Sequence, residues 1–140
     1  MSSLGTREPV PGLPANHRSL RPAAPRVLVV EDEMTVAMLI EDMVLDLEYG
    51  IAGVAPRLKD AMRFLDTDSF DCAMLDVHLN GETVFPFAAE LEKRAIPFLF
   101  ATAYGPRGIP AEFRDHRVLQ KPFGPVELRQ ALAQLAGGTP

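Results

Sequence analysis

Cys72-Ala73-Met74-Leu75-Asp76 is the stretch that decides the fold. Four apolar residues between two aspartates read as a short strand buried on both faces, and a carboxylate follows it directly. The pattern recurs on either side. Upstream, Val27-Leu28-Val29-Val30 runs into Glu31-Asp32-Glu33, and Ile51 to Ala55 reads as a further strand. Downstream, Pro97 to Ala101 runs into Thr102, and Val118-Leu119 runs toward Lys121-Pro122.

Between these runs the apolar period changes from two to about 3.6. Val36, Ile40, Met43 and Leu47 share one face, which predicts a helix from Glu33 to Leu47 closed by Gly50. Leu58, Ala61, Met62 and Leu65 mark a second helix, and Val84, Phe87, Ala88 and Leu91 a third. Leu128, Ala131, Leu132 and Leu135 mark a last one over Glu127 to Ala136, stopped by Gly137-Gly138. Tyr104 to His116 holds Gly105, Pro106, Gly108 and Pro110, so the fourth helix is expected to be short or irregular. Five strand–helix units in series predict an α/β fold with a five-stranded parallel sheet and right-handed crossovers.

The chain has 140 residues and a formal net charge of -5. Residues 1–25 hold five of the 13 prolines and carry +2, leaving -7 on residues 26–140. The first 25 residues are expected to be a disordered, proline-rich extension, and Pro11-Gly12-Leu13-Pro14 has only the chance-prone P-x-x-P spacing. An acidic domain without a basic stripe is a poor nucleic-acid binder, so no DNA is expected. No apolar run spans a bilayer and no secretory leader is visible, so a cytoplasmic protein without membrane attachment is expected. One cysteine, Cys72, excludes an internal disulfide, and it reads with Met74 as core.

In parallel α/β sheets the site lies beyond the carboxyl ends of the strands, at a topological switch point. Glu31, Asp32 and Asp76 would converge there, with Thr102 and Lys121 from the two remaining strand ends. Clustered carboxylates repel, and a hard divalent cation is their natural partner; Mg²⁺ fits, because it binds through one or two carboxylates and accepts phosphate oxygens. The set suits phosphoryl transfer to Asp76, with Lys121 and Thr102 stabilising the phosphoryl oxygens. Asn80-Gly81 reads as a loop that leaves the nearby backbone accessible. Each residue alone has a plainer reading: an acidic helix start, a helix cap, a common Lys-Pro pair, a satisfied threonine. Four such residues, each at its own strand end, are much harder to produce by chance.

Val29-Val30-Glu31-Asp32-Glu33, Leu75-Asp76-Val77-His78-Leu79-Asn80-Gly81, Ala101-Thr102-Ala103-Tyr104 and Lys121-Pro122-Phe123 together resemble the receiver domain of bacterial response regulators. The resemblance covers residues 26–138 and implies a flavodoxin-like (βα)5 fold with strand order 2-1-3-4-5. It implies that Asp76 accepts a phosphoryl group from a sensor histidine kinase or histidine phosphotransfer protein. It implies Mg²⁺ held by Asp32, Asp76 and the backbone carbonyl of His78, with Glu31 acting on the metal through water. Thr102 and Lys121 would bind phosphoryl oxygens, and His78, Ala103 and Tyr104 would tune the acyl-phosphate lifetime. The chain would then be a signalling module, a monomer or weak dimer, whose only chemistry is its own phosphorylation and dephosphorylation.

Three departures stand out. Glu31 replaces the commoner Asp. Val118 stands where the family usually has a switch aromatic. The stretch from Thr102 to Lys121 is short and rich in Pro and Gly. Pro97-Phe98-Leu99-Phe100-Ala101-Thr102-Ala103-Tyr104-Gly105 resembles the Phe-Ala-Thr-Gly-x-Tyr signature of certain single-domain receivers in phosphorelays, some tied to general stress responses. With the chain stopping just after the last helix, a stand-alone receiver acting through an unidentified partner protein is expected. The competing readings are a protein-binding module that no longer turns over phosphate and a hydrolase of the haloacid dehalogenase type. The latter places its nucleophile on strand one in Asp-x-Asp, whereas strand one here ends in Glu31-Asp32-Glu33. The peptide before Pro122 is a candidate cis bond.

Overall fold

The computed structural model describes residues 24–137. The proline-rich extension therefore lies, through residue 23, outside the described residues, as does Gly138 at the expected end of the receiver unit. The strands are β1 (Arg26–Val30), β2 (Gly50–Ala55), β3 (Cys72–Leu75), β4 (Phe98–Thr102) and β5 (Val118–Gln120); the helices are α1 (Met34–Asp46), α2 (Leu58–Phe64), α3 (Phe85–Lys93) and α4 (Pro125–Gly137). The five strands form one parallel sheet in the order β2-β1-β3-β4-β5. The chain leaves β1 for β2 on one side and returns to β3 on the other, so the strand order reverses beside β1.

Alternation along the strands splits the core into two layers. Val27, Val29, Cys72, Met74, Leu99, Ala101 and Leu119 face Ile40 and Val44 of α1 and Leu128, Ala131 and Leu132 of α4. Leu28, Val30, Ala73, Leu75, Phe98 and Phe100 face Ala61 of α2 and Phe87, Ala88 and Leu91 of α3, together with Ile109 and Phe113. Both faces are thus covered by apolar side chains, which is why the strands read as continuous apolar runs rather than alternating ones. Gly53 of β2 is needed for close packing: a Cβ there would lie 2.7 Å from Cζ of Phe64 on α2.

Four local features depart from the sequence reading. Helix α1 ends near Leu47 as expected, but Gly50 does not close it. Leu47 caps it, Glu48 takes the left-handed turn at φ 70, and Tyr49 N–H bonds the Val44 carbonyl at 3.2 Å. Gly50 instead opens β2, where its N–H reaches the Pro25 carbonyl at 2.9 Å. Strand β4 continues through Thr102, which pairs with Gln120. Asn80-Gly81 is not an open loop: His78–Leu79 pairs antiparallel with Glu82–Thr83, and Asn80 and Gly81 form the two-residue turn at φ 51 and 90. That turn requires positive φ at both positions, and Asn-Gly is its preferred sequence.

The irregular fourth connection is borne out. It holds two short 3-10 turns, Gly105–Gly108 and Ala111–Phe113, and no α-helix. Each contributes a buried apolar anchor to the core, either directly or just after it, in Ile109 and Phe113. Lys121–Pro122 is cis.

Candidate functional site

The order reversal places the carboxyl ends of β1 and β3 side by side. Asp76 N–H bonds the Val30 carbonyl at 2.9 Å, and Glu31 N–H bonds the Ala55 carbonyl at 3.1 Å. These backbone bonds carry the ladder one residue past the apolar runs and fix where the first polar side chains emerge. On the far side, Lys121 N–H bonds the Thr102 carbonyl at 2.9 Å and does the same for β4 and β5.

One carboxylate oxygen from each of Glu31, Asp32 and Asp76 lies within 4.8 Å of the others. Glu31 is only 1% exposed, whereas Asp32 and Asp76 are partly open. Lys121 Nζ donates to Glu31 Oε1 at 2.6 Å and stands 3.5 Å from Asp76 Oδ1. Glu31 Oε2 accepts the Glu33 N–H at 3.2 Å. Asp32 Oδ2 accepts the Asn80 N–H at 2.9 Å, so the Asn-Gly turn holds Asp32 in place. Thr102 is buried, and its Oγ1 accepts the Tyr104 N–H at 3.2 Å, leaving the hydroxyl proton to donate.

Burial, and then the neighbouring charge of Glu31, push the Asp76 carboxyl up to about 7, against the opposing pull of Lys121. A hydrogen bond with Glu31 and the charge of Asp32 add to the rise. Three carboxylates facing one ammonium are thus under-neutralised. An all-oxygen, like-charged cluster open on the Asp32 and Asp76 side fits a hard divalent cation.

His78 and Tyr104 are both exposed, and their rings meet edge to face at 5.7 Å between centroids. Exposed Ala103 lies between Thr102 and Tyr104. Two grooves flank the carboxylates. One of about 430 Å³ is lined by Asp32, Met34, Pro56, Arg57 and Asn80; the other, about 500 Å³, by Ala103, Tyr104, Arg107, Gly108 and Gln120. A slightly larger groove of about 550 Å³, lined by Arg26, Asp71, Cys72 and Pro97 among others, lies at the amino ends of the strands. It gathers no comparable chemistry, so size does not choose the site here. Val118 pairs with Phe100 on β4 and packs into the α2–α3 layer, and no ring occupies that position.

Of the residues expected at the strand ends, Glu31, Asp32, Asp76 and Lys121 are therefore together, and Thr102 ends the strand beside Lys121. Missed were the Asn80 clamp on Asp32, whose Asn-Gly signal was available, and the Glu33 N–H on Glu31.

Residues 27–133 match the response regulator receiver domain family. The chain belongs to this family. It is 29% identical over 111 residues to the transcriptional regulatory protein PdtaR of Mycobacterium tuberculosis, covering 76% of this chain and 54% of PdtaR. It thus spans about half the length of the curated relatives it matches. Among solved structures, SdrG from Sphingomonas melonis Fr1 is 38% identical with a TM-score of 0.74, covering 83% of this chain and 99% of SdrG. The REC domain of the Erythrobacter litoralis response regulator PhyR is 25% identical with a TM-score of 0.74, covering 84% of this chain and 95% of that one. The flavodoxin-like strand order 2-1-3-4-5 is thus that of a receiver. No helix among the described residues is long and apolar enough to cross a membrane.

Proposed function

We propose that this chain is a single-domain response regulator that accepts a phosphoryl group on Asp76 and signals by protein–protein interaction. The observation that carries this reading is the meeting of Asp76 with Lys121 at 3.5 Å, inside a carboxylate triad at the strand ends. The near-complete coverage of SdrG supports the single-domain form.

In the transfer, an Asp76 carboxylate oxygen attacks phosphorus. The P–N bond to the donor's imidazole breaks, and its electron pair leaves on the imidazole nitrogen, which takes up a proton. Lys121 and the Thr102 hydroxyl stabilise the phosphoryl oxygens, a largely electrostatic task that needs no general base. Asp32, Asp76 and the His78 carbonyl would hold Mg²⁺, with Glu31 beside them, and the metal would supply charge neutralisation for the incoming phosphoryl group. His78, Ala103 and Tyr104 border the site and tune access of water to the acyl phosphate.

The donor is a histidine kinase or histidine phosphotransfer protein. Met34, Met38 and Leu39, all more than half exposed on α1, offer it an apolar face. Beside them Val36, Ile40 and Met43 form a groove with Pro122 and Phe123.

The test is labelling with phosphoramidate in Mg²⁺, read by intact mass. One phosphoryl group should be added to the wild type and none to Asp76→Asn. No labelling, together with no stabilisation by Mg²⁺, would leave a binding module that does not turn over phosphate. Turnover of a free phosphate ester would instead favour the hydrolase reading.

A further inference from the structure

Helix α1 carries exposed apolar side chains and unmatched charge side by side. Met34, Met38 and Leu45 are each more than half exposed, and their spacings of four and seven residues put them on one side of the helix. Asp42 follows Met38 by four residues and Asp46 follows Asp42 by four, so an exposed acidic row runs beside them. Exposed Glu48 continues that row past the helix end. From Glu31 to Pro56 the chain holds no Lys or Arg. Among the described residues, no ion pair takes Asp42, Asp46 or Glu48. On α2 and α3, by contrast, Asp60 meets Arg63, and Glu90 meets Lys93 and Arg94.

An apolar row flanked by carboxylates fits a basic segment with an apolar side chain in it. A second copy of the same face would set like charges together, and a polyanion would be repelled. The chain supplies a fitting segment itself: His17-Arg18-Ser19-Leu20-Arg21 places a leucine between two arginines. Residues 1–25 carry +2 against -7 on residues 26–140. The point of entry suits this pairing. The Pro25 carbonyl accepts the Gly50 N–H at 2.9 Å, so the chain enters β1 beside Glu48 and Tyr49 at the close of α1. Arg21 precedes Pro25 by four residues and Arg18 by seven, extended reaches of about 13 and 23 Å. Asp42 stands six residues from Glu48, about 9 Å along the helix, so both arginines have the length to meet the acidic row.

We propose that residues 17–21 dock on the outer face of α1, with Arg21 against Asp46 and Glu48, Arg18 against Asp42, and Leu20 on Met38 and Leu45. Exposed ion pairs of this kind are individually weak. The tether makes the contact intramolecular, with an effective concentration in the millimolar range. Docking covers Met38, part of the apolar face offered to the phosphoryl donor, so the segment competes with that donor. This consequence rests on the phospho-acceptor reading; the docking does not.

The experiment attaches a nitroxide to Ser19→Cys in the isotope-labelled full-length chain and follows amide NMR signals. Cys72 is buried and is not expected to take the label. At low salt the signals of Met38, Asp42 and Leu45 should lose about half of their intensity, as for a tethered contact made in roughly half of the molecules. Added NaCl should restore them, and so should Arg18→Glu combined with Arg21→Glu. Broadening confined to the amino ends of the strands, around Asp71 and Cys72, would overturn the proposal. Broadening of α1 that salt and charge reversal leave unchanged would do the same.

A second arm mixes nitroxide-bearing chain without isotope and isotope-labelled chain without nitroxide. Its α1 signals should keep their intensity. Broadening there equal to that in the single sample would mean that the segment comes from a second copy, which overturns docking within one chain. Every signal is read without a phosphoryl group. If docking is seen and phosphoramidate still adds nothing to Asp76, the phospho-acceptor reading alone fails.

Discussion

Asp76→Asn removes one of three crowded carboxylates at nearly constant volume, so its effect on stability measures how far the site is under-neutralised. The Asp76 carboxyl is raised from 3.8 to about 7, by burial first and then by Glu31. At pH 5 the folded chain holds this proton and the unfolded chain does not. Its contribution to stability is therefore complete below about pH 4 and is lost as pH rises through 7. With about 1.36 kcal/mol for each pH unit of displacement, going from pH 5 to pH 8 costs the wild type roughly 2.5 kcal/mol at this residue alone. Asn does not titrate. The advantage of Asp76→Asn over the wild type should therefore grow by roughly that amount between pH 5 and pH 8. Urea unfolding in EDTA at both pH values gives the four free energies, and taking the difference between proteins cancels titrations common to both. A gap that stays the same at pH 5 and pH 8 would refute the claim that Glu31 and burial strain Asp76. Adding Mg²⁺ at pH 8 should narrow the gap by stabilising only the wild type.

Three further outcomes follow from the same geometry. Mg²⁺ at ten times its dissociation constant should stabilise the wild type by about 1.4 kcal/mol, and Asp32→Asn should lose most of that gain in a thermal shift. Gly53→Ala forces a Cβ to within 2.7 Å of the Phe64 ring and should destabilise by about 1–2 kcal/mol in urea unfolding. Gly81→Val puts a β-branched residue at φ 90 and should cost about 1–3 kcal/mol. It should also weaken Mg²⁺ binding in the same titration, because the turn that aims Asn80 at Asp32 loses its shape.

The strands were legible because burial on both faces leaves an uninterrupted apolar run, and the ladder delivers the next polar residue to the site. That is why Glu31, Asp32, Asp76, Thr102 and Lys121 could be placed together from sequence order alone. What could not be read is how they divide their contacts. Lys121 lies 90 residues from Glu31 and has two carboxylates within 4 Å; only side-chain geometry shows that it bonds Glu31 and merely approaches Asp76. The end of α1 near Leu47 was legible, but not the residue that closes it: Glu48 accepts a left-handed turn that usually goes to glycine, so Gly50 was credited with a role it does not have.

Two of the departures from the family pattern, the valine at position 118 and the irregular fourth connection, are one packing feature. Phe113, from the second 3-10 turn, stacks on Phe85 at 5.5 Å and meets Phe100 edge to face at 6.0 Å. His116, just beyond it, stacks on Phe98 at 4.0 Å and bonds Glu92 of α3 through Nε2 at 2.7 Å. These rings fill the layer between β4 and α3 from the connection itself. Val118 pairs with Phe100 in that same layer. Val118 is partly buried there, and a ring in its place would have to share Phe100 with Phe113 and His116. A small β-branched residue at position 118 leaves Phe100 to the rings of the connection. Both departures lie on the side of the sheet layer away from the carboxylates, although the connection's first residues, Ala103 and Tyr104, border the site.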